Sequence, residues 1–196
     1  MHLEHAILGF LSYMPLSGYD LKRSLDASIR HFWPADQSQI YKTLTRLADR
    51  GWVEVEVVHQ ETRPNRKVYS ITRSGQAELL DWLRSSPEPA AARDPFLIQV
   101  FFAGKLDDNG AIELLKTRAE QLRGLLDTYR AIAVAPLSRE QESAPARDRF
   151  FWYLTLGSGF ASRQAELNWL EDAIRRIQGN EYEQGEKLLL DSRRAE

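Results

Sequence analysis

Across residues 38–57 the apolar positions change period at Gly51. Before it, Ile40, Leu44 and Leu47 recur at i, i+4 and i+7, one buried stripe of an α-helix. After it, Val53, Val55 and Val57 alternate with Glu54 and Glu56, the pattern of a strand with one side buried. Gly51 follows Asp49-Arg50 where a helix end favours glycine. At 3.6 residues per turn the opposite helix face carries Ser38, Lys42, Thr45 and Arg46, with Gln39 and Tyr41 on its flanks. Hydroxyls, an amide, a phenol and two cations suit hydrogen bonding to base edges and phosphates. A plain amphipathic helix with a solvated face carries the same pattern, so the flanking sequence has to separate the two.

Upstream, Ala6-Ile7-Leu8-Gly9-Phe10-Leu11 predicts a helix buried on most of its circumference, stopped by Pro15. Ser17 and Asp20 form a capping-box pair opening a second helix with Leu21, Leu25 and Ile29 inward. Pro34 breaks the chain and Asp36 caps the helix of residues 38–47. Downstream, Pro64-Asn65 has turn chemistry, and a return strand runs through Val68, Tyr69, Ser70 and Ile71. Thr72 then caps a fourth helix with Ala77, Leu80 and Leu83 inward and Leu79 and Trp82 beside them. Three helices, a hairpin and a further helix make a winged helix-turn-helix with a two-stranded wing. The hairpin tip gathers Arg63, Asn65, Arg66 and Lys67. Such a cluster is commonly a solvated tip. Beside a helix bearing Lys42 and Arg46 it becomes a wing that reaches phosphate or the minor groove.

Ser85 to Ala92 reads as a linker by composition. The predicted organisation is a winged helix over 1–86, a linker over 87–93, a helical domain over 94–178 and a polar tail over 179–196. Asp94-Pro95 opens a helix running from Phe96 to Lys105 that is apolar nearly all round, so burial between other elements is expected. Asp107 or Asp108 caps a helix striped by Ile112, Leu115, Ala119, Leu122, Leu126, Tyr129 and Ala133. A last long helix, after a loop bracketed by Pro136 and Pro145, has Tyr153, Leu156, Phe160, Arg163, Leu167, Leu170, Ile174 and Ile177 in step. Two readings fit these seams: an antiparallel pair within one chain, or a dimerisation module. Apolar residues outside the seam, Trp152, Leu154, Trp169 and Ala173, point to a second partner. The fold class is therefore mainly α, a winged helix followed by a long-helix dimerisation domain.

The chain has no cysteine, 28% charged residues and no apolar run long enough to span a bilayer, and its N-terminus lacks a signal-peptide pattern. A cytoplasmic protein is expected. The net charge of −2 is not that of a wholly basic nucleic-acid binder, but the local patch is the relevant quantity. His2, His5, His31 and His59 form no metal-ligand pairing, and no metal or cofactor is expected. Gly157-Ser158-Gly159 lies inside a helical pattern without a preceding strand, so it is neither a phosphate loop nor a nucleophile elbow. No enzyme is expected. Phe101 and Trp152 are candidate walls for a flat aromatic ligand, and Arg163 a candidate partner for its carboxylate or, equally, for Glu166.

Leu8-Gly9-Phe10-Leu11, Ser17-Gly18-Tyr19-Asp20-Leu21, Ser38-Gln39-Ile40-Tyr41, Gly51-Trp52-Val53 and Arg66-Lys67-Val68-Tyr69-Ser70-Ile71-Thr72 with Gly75 together resemble the PadR family of transcriptional regulators. The resemblance covers roughly residues 3 to 85. Lys42 departs from it, standing where the family commonly has proline. The resemblance implies a homodimer on a near-palindromic double-stranded DNA operator, usually repressing, and in some members released by a small aromatic compound. The remaining alternative is a non-DNA interaction or small-molecule-binding module on a degenerate winged helix.

Overall fold

The computed structural model describes residues 2–30, 32–59, 65–86, 93–135 and 144–184. The chain divides into two compact units, Met1–Ala90 and Ala91–Glu196. In the first, the order is α1 (His2–Leu11), β1 (Leu16–Ser17), α2 (Gly18–Ser28), α3 (Gln37–Asp49), β2 (Val53–Val58), β3 (Arg66–Ile71) and α4 (Arg73–Arg84). Local chemistry sets the boundaries. Capping boxes open α2 (Ser17 with Asp20) and α3 (Asp36 with Gln39), each satisfying an orphan donor of the first turn. Gly51 takes φ 69° and closes α3, its N–H donating to the Ala48 carbonyl at 2.9 Å and that of Trp52 to Leu47 at 2.9 Å. The Thr72 hydroxyl caps α4 and donates to the Gly51 carbonyl at 2.8 Å, joining the end of α3 to the start of α4.

Ile7, Leu8 and Leu11 of α1, Leu21 and Leu25 of α2, and Ile40, Leu44 and Leu47 of α3 form one core with Val53 and Tyr69. The antiparallel sheet is ordered β1-β3-β2, with Leu16 opposite Tyr69 and Val53 opposite Ile71. The third strand, β1, has two residues and so leaves no alternation to find in the sequence.

Two expectations about this unit are corrected. Only Val53 of the alternating valines is buried; Val55 and Val57 are exposed, because the hairpin projects past the core and β2 has solvent on both faces beyond its first residue. In α4 the inward side is not Ala77, Leu80 and Leu83, all of which are exposed, but that of Leu79 and Trp82. Its orientation is held by α1: the Trp82 ring stacks on His5 at 4.6 Å, and His5 Nε2 lies 3.0 Å from Glu78 Oε1.

The second unit contains α5 (Pro95–Phe102), a 3₁₀ turn (Ala103–Lys105), α6 (Asp108–Val134) and α7 (Ala146–Gln178). Asp94 caps α5 ahead of Pro95, and Asp107 caps α6. Leu115, Ala119, Leu122 and Leu126 of α6 pack on Leu167 and Leu170 of α7. Arg118 meets Glu166 and Tyr129 faces Gly159, the order of an antiparallel pair within one chain. Tyr153 is exposed and stands outside that seam.

The helix α5 is not buried all round as expected. Phe96 and Val100 pack against the α6–α7 pair, while Leu97, Ile98, Phe101 and Phe102 are exposed. A short helix laid along a two-helix pair buries one side only. Among the described residues no helix is long and apolar enough to cross a membrane.

Candidate nucleic-acid interface

The core stripe of α3 leaves its other face outward. Ser38, Gln39, Tyr41, Lys42, Thr45 and Arg46 are all exposed. Several are already engaged. The Ser38 hydroxyl donates to Asp36 Oδ1 at 2.8 Å, and the Gln39 side chain accepts from the Asp36 N–H at 3.1 Å. The Gln39 N–H and the Ser38 hydroxyl, ahead of other contributions, hold the Asp36 carboxyl below the usual aspartate range. The Thr45 hydroxyl donates back to the Tyr41 carbonyl at 3.1 Å.

Arg46 is tied down on one edge. Its Nε lies 3.3 Å from Glu4 Oε1, and its Nη2 donates to the Thr43 hydroxyl at 3.1 Å. Glu4 is buried and also receives Arg50 at 3.0 Å, while the Arg50 guanidinium lies over the Trp52 ring at 4.9 Å. Glu4 stands out only faintly in the sequence. Its one signal is an acid at the start of an otherwise apolar run.

Asn65, Arg66 and Lys67 lie exposed where the hairpin returns to β3. Arg63 falls outside the described residues. Arg66 forms an ion pair with Asp20 of α2. Burial works to raise the Asp20 carboxyl, but the Ser17 hydroxyl and the Arg66 cation outweigh it and leave it lowered. The same carboxylate thus completes a helix cap and ties the wing strand to α2. The capping role is legible at a spacing of three residues; the ion pair, 46 residues apart, is not. Tyr41 lies across Gly18 at the start of α2. It also stands near Tyr69 of β3, whose phenol is raised first by burial and then by this neighbour.

The residues considered for a ligand stand apart in kind. Phe101 is 82% exposed, next to Phe102, with ring centroids 5.0 Å apart. Trp152 is half-buried. Arg163 Nη1 donates to Glu166 Oε2 at 3.0 Å, and Glu166 is shared with Arg118. Among the described residues no group of three or more acidic, histidine or cysteine side chains is placed to hold a metal ion. His5, a titratable group near the N-terminus, is instead packed against Trp82 and Glu78.

A helix with an outward polar face, capped and braced from α1 and α2, beside a hairpin carrying basic residues, defines a winged helix-turn-helix of the DNA-binding class. Residues 7–81 match the Transcriptional regulator PadR-like family, and residues 92–178 match a second family described as Virulence activator alpha C-term. The negative transcriptional regulator PadR of Bacillus subtilis is 30% identical over 176 residues, which span 89% of this chain and 97% of that protein. A probable transcriptional regulator of Mycobacterium tuberculosis is 33% identical over 188 residues, 91% of this chain and 98% of that one. The crystal structure of Bacillus subtilis PadR in complex with operator DNA is similar with a TM-score of 0.79 at 31% identity, covering 90% of this chain and 99% of that chain. The same protein in complex with p-coumaric acid gives a TM-score of 0.74 at 31% identity, over 91% and 99% of the two chains. This chain belongs to the PadR family: it is a DNA-binding transcriptional regulator.

Proposed function

We infer that this chain acts as a homodimeric repressor on a near-palindromic operator, in the cytoplasm, by binding rather than by catalysis. Helix α3 enters the major groove, with Ser38, Gln39, Tyr41, Lys42, Thr45 and Arg46 on base edges or flanking phosphates. Arg63, Asn65, Arg66 and Lys67 hold the adjacent backbone or minor groove. The observation that carries this reading is the shared exposure, in one compact unit, of the polar α3 face and the basic hairpin. The similarity to a PadR crystallised on operator DNA supports it.

Dimerisation is supported by the apolar side chains that the second unit leaves outward: Leu97, Ile98, Phe101, Phe102, Phe150 and Leu154. Exposed apolar surface of this extent marks an interaction face. Release by a small aromatic acid is supported by the relative bound to p-coumaric acid. On this chain Phe101 and Trp152 supply ring faces. Arg163, paired with Glu166 through Nη1, would receive the carboxylate beside that pair.

The test is the salt dependence of DNA binding. Replacing Arg66 and Lys67 by alanine weakens binding on every sequence. It also lowers the slope of log affinity against log salt by roughly one for each phosphate these cations neutralise. An unchanged slope means that the hairpin does not touch phosphate.

A further inference from the structure

Gly18 is the first residue of α2, directly after the capping residue Ser17. Its backbone does not call for glycine, because Gly51 alone among the described glycines has positive φ. On helix propensity alanine is the better residue, since glycine costs a helix up to about 1 kcal/mol. What excludes a side chain is the recognition helix. A Cβ at Gly18 would stand 2.5 Å from Tyr41 Cε1 and 2.8 Å from Tyr41 Cζ. Gly18 is buried, while Tyr41 keeps 42% of its surface exposed. The glycine is therefore a seat: one side of the ring rests on the start of α2, and the rest faces outward from α3.

The seat is also indexed to the wing. Leu16 and Ser17, the two residues before Gly18, are paired with Tyr69 and Val68 of β3. Asp20, two residues after it, holds Arg66 at the hairpin end of the same strand. The chain from Leu16 to Asp20 thus holds the wing strand at its middle and at its hairpin end, and seats Tyr41 at Gly18.

We propose that Gly18 is a positioning residue for operator recognition, its missing side chain setting the Tyr41 ring of α3 at a fixed place relative to the wing. This rests on the reading of Tyr41 as a DNA contact. A methyl group at Gly18 meets the end of a side chain that can rotate away, so the fold survives and the ring moves.

The experiment is a double-mutant cycle with Gly18→Ala, Tyr41→Ala and the two together. The probes are a near-palindromic duplex selected from random DNA with the wild-type chain, and an unselected duplex of the same length. Thermal melting is followed alongside. Gly18→Ala lowers affinity for the selected duplex on the order of tenfold, the size of one mismatched base pair, leaves the unselected duplex nearly unchanged, and does not lower the melting temperature. The double variant binds no worse than Tyr41→Ala alone. If Tyr41→Ala weakens selective binding and Gly18→Ala does not, the contact reading stands and the seat is wrong. If neither weakens it, both are wrong. Additive losses, or a folding defect in Gly18→Ala that persists in the double variant, also overturn the proposal, because the effect then does not pass through the ring.

Discussion

Asp20 satisfies two elements with one carboxylate. It accepts from the Ser17 hydroxyl at 2.6 Å and pairs with Arg66 of the wing strand. Its carboxyl is lowered in the folded chain, against the opposing effect of burial. A lowered carboxyl contributes stability that is fully present above the ordinary aspartate range and is lost as pH falls through the folded value. Comparing the wild type with Asp20→Asn by chemical denaturation therefore gives a stability difference that is present at neutral pH and shrinks as the pH is taken below that range. A difference that stays constant down to acid pH means that the carboxylate charge is not what the native state uses. Other carboxyls are lowered as well, Asp36 and Asp172 among them, so the comparison with the variant, rather than the wild-type acid transition alone, isolates Asp20. The same scale explains what sequence could and could not show of the site. Ser38, Tyr41, Lys42 and Thr45 follow from helical period, because which face a residue occupies is fixed within two turns. The Glu4–Arg46–Arg50 cluster and the Asp20–Arg66 pair join residues more than 40 positions apart. No local rule brings them together.

At the level of elements, boundaries were legible and orientations were only partly so. Ser17, Asp36, Thr72, Asp94 and Asp107 all cap helices, since a cap is chemistry between residues two or three apart. The α3 stripe is buried as its period requires, and so are Leu115, Ala119, Leu122, Leu126 and Tyr129 of α6 and Leu156, Leu167 and Leu170 of α7, whereas Ala133 and Tyr153, expected in the same stripes, are exposed. Burial departs from the sequence period where an apolar pattern has no assured partner. Leucines and tryptophan on α4 offer two adjacent faces, and the stack of Trp82 on His5 selects one. The valines of β2 alternate, yet the hairpin outruns the core. Helix α5 is apolar on all sides and is covered on one. The α4 orientation makes a direct contrast. Leu44→Ala, at a fully buried core position, costs about 2–5 kcal/mol. Leu80→Ala, at a half-exposed position, stays within about 0.5 kcal/mol. Urea denaturation of the two variants measures this, and a large loss at Leu80 would mean that α4 is turned the other way.

On the scale of the whole molecule, one copy of α3 docked as proposed would read a limited number of base pairs, and the cations of α3 and the wing are partly neutralised by Glu4 and Asp20. With these cations partly paired, the basic patch gains less from long-range attraction to DNA. On the proposed reading, useful affinity depends on two winged helices acting together, about one helical turn of DNA apart, with the second unit holding them. Its sequence pattern left open whether the long seams pair within a chain or between chains. The structure closes the α6–α7 seam within one chain and leaves apolar side chains of α5 and of α7 outward. We propose that these outward side chains make the dimer and that the dimer makes the operator complex. The deciding measurement titrates a near-palindromic duplex, selected by the full chain, with the full chain and with residues 1–86 at the same salt concentration. Two full-length chains per duplex, with an affinity on the order of a hundredfold or more above that of residues 1–86, is the predicted result. Equal affinity for the two proteins would contradict it.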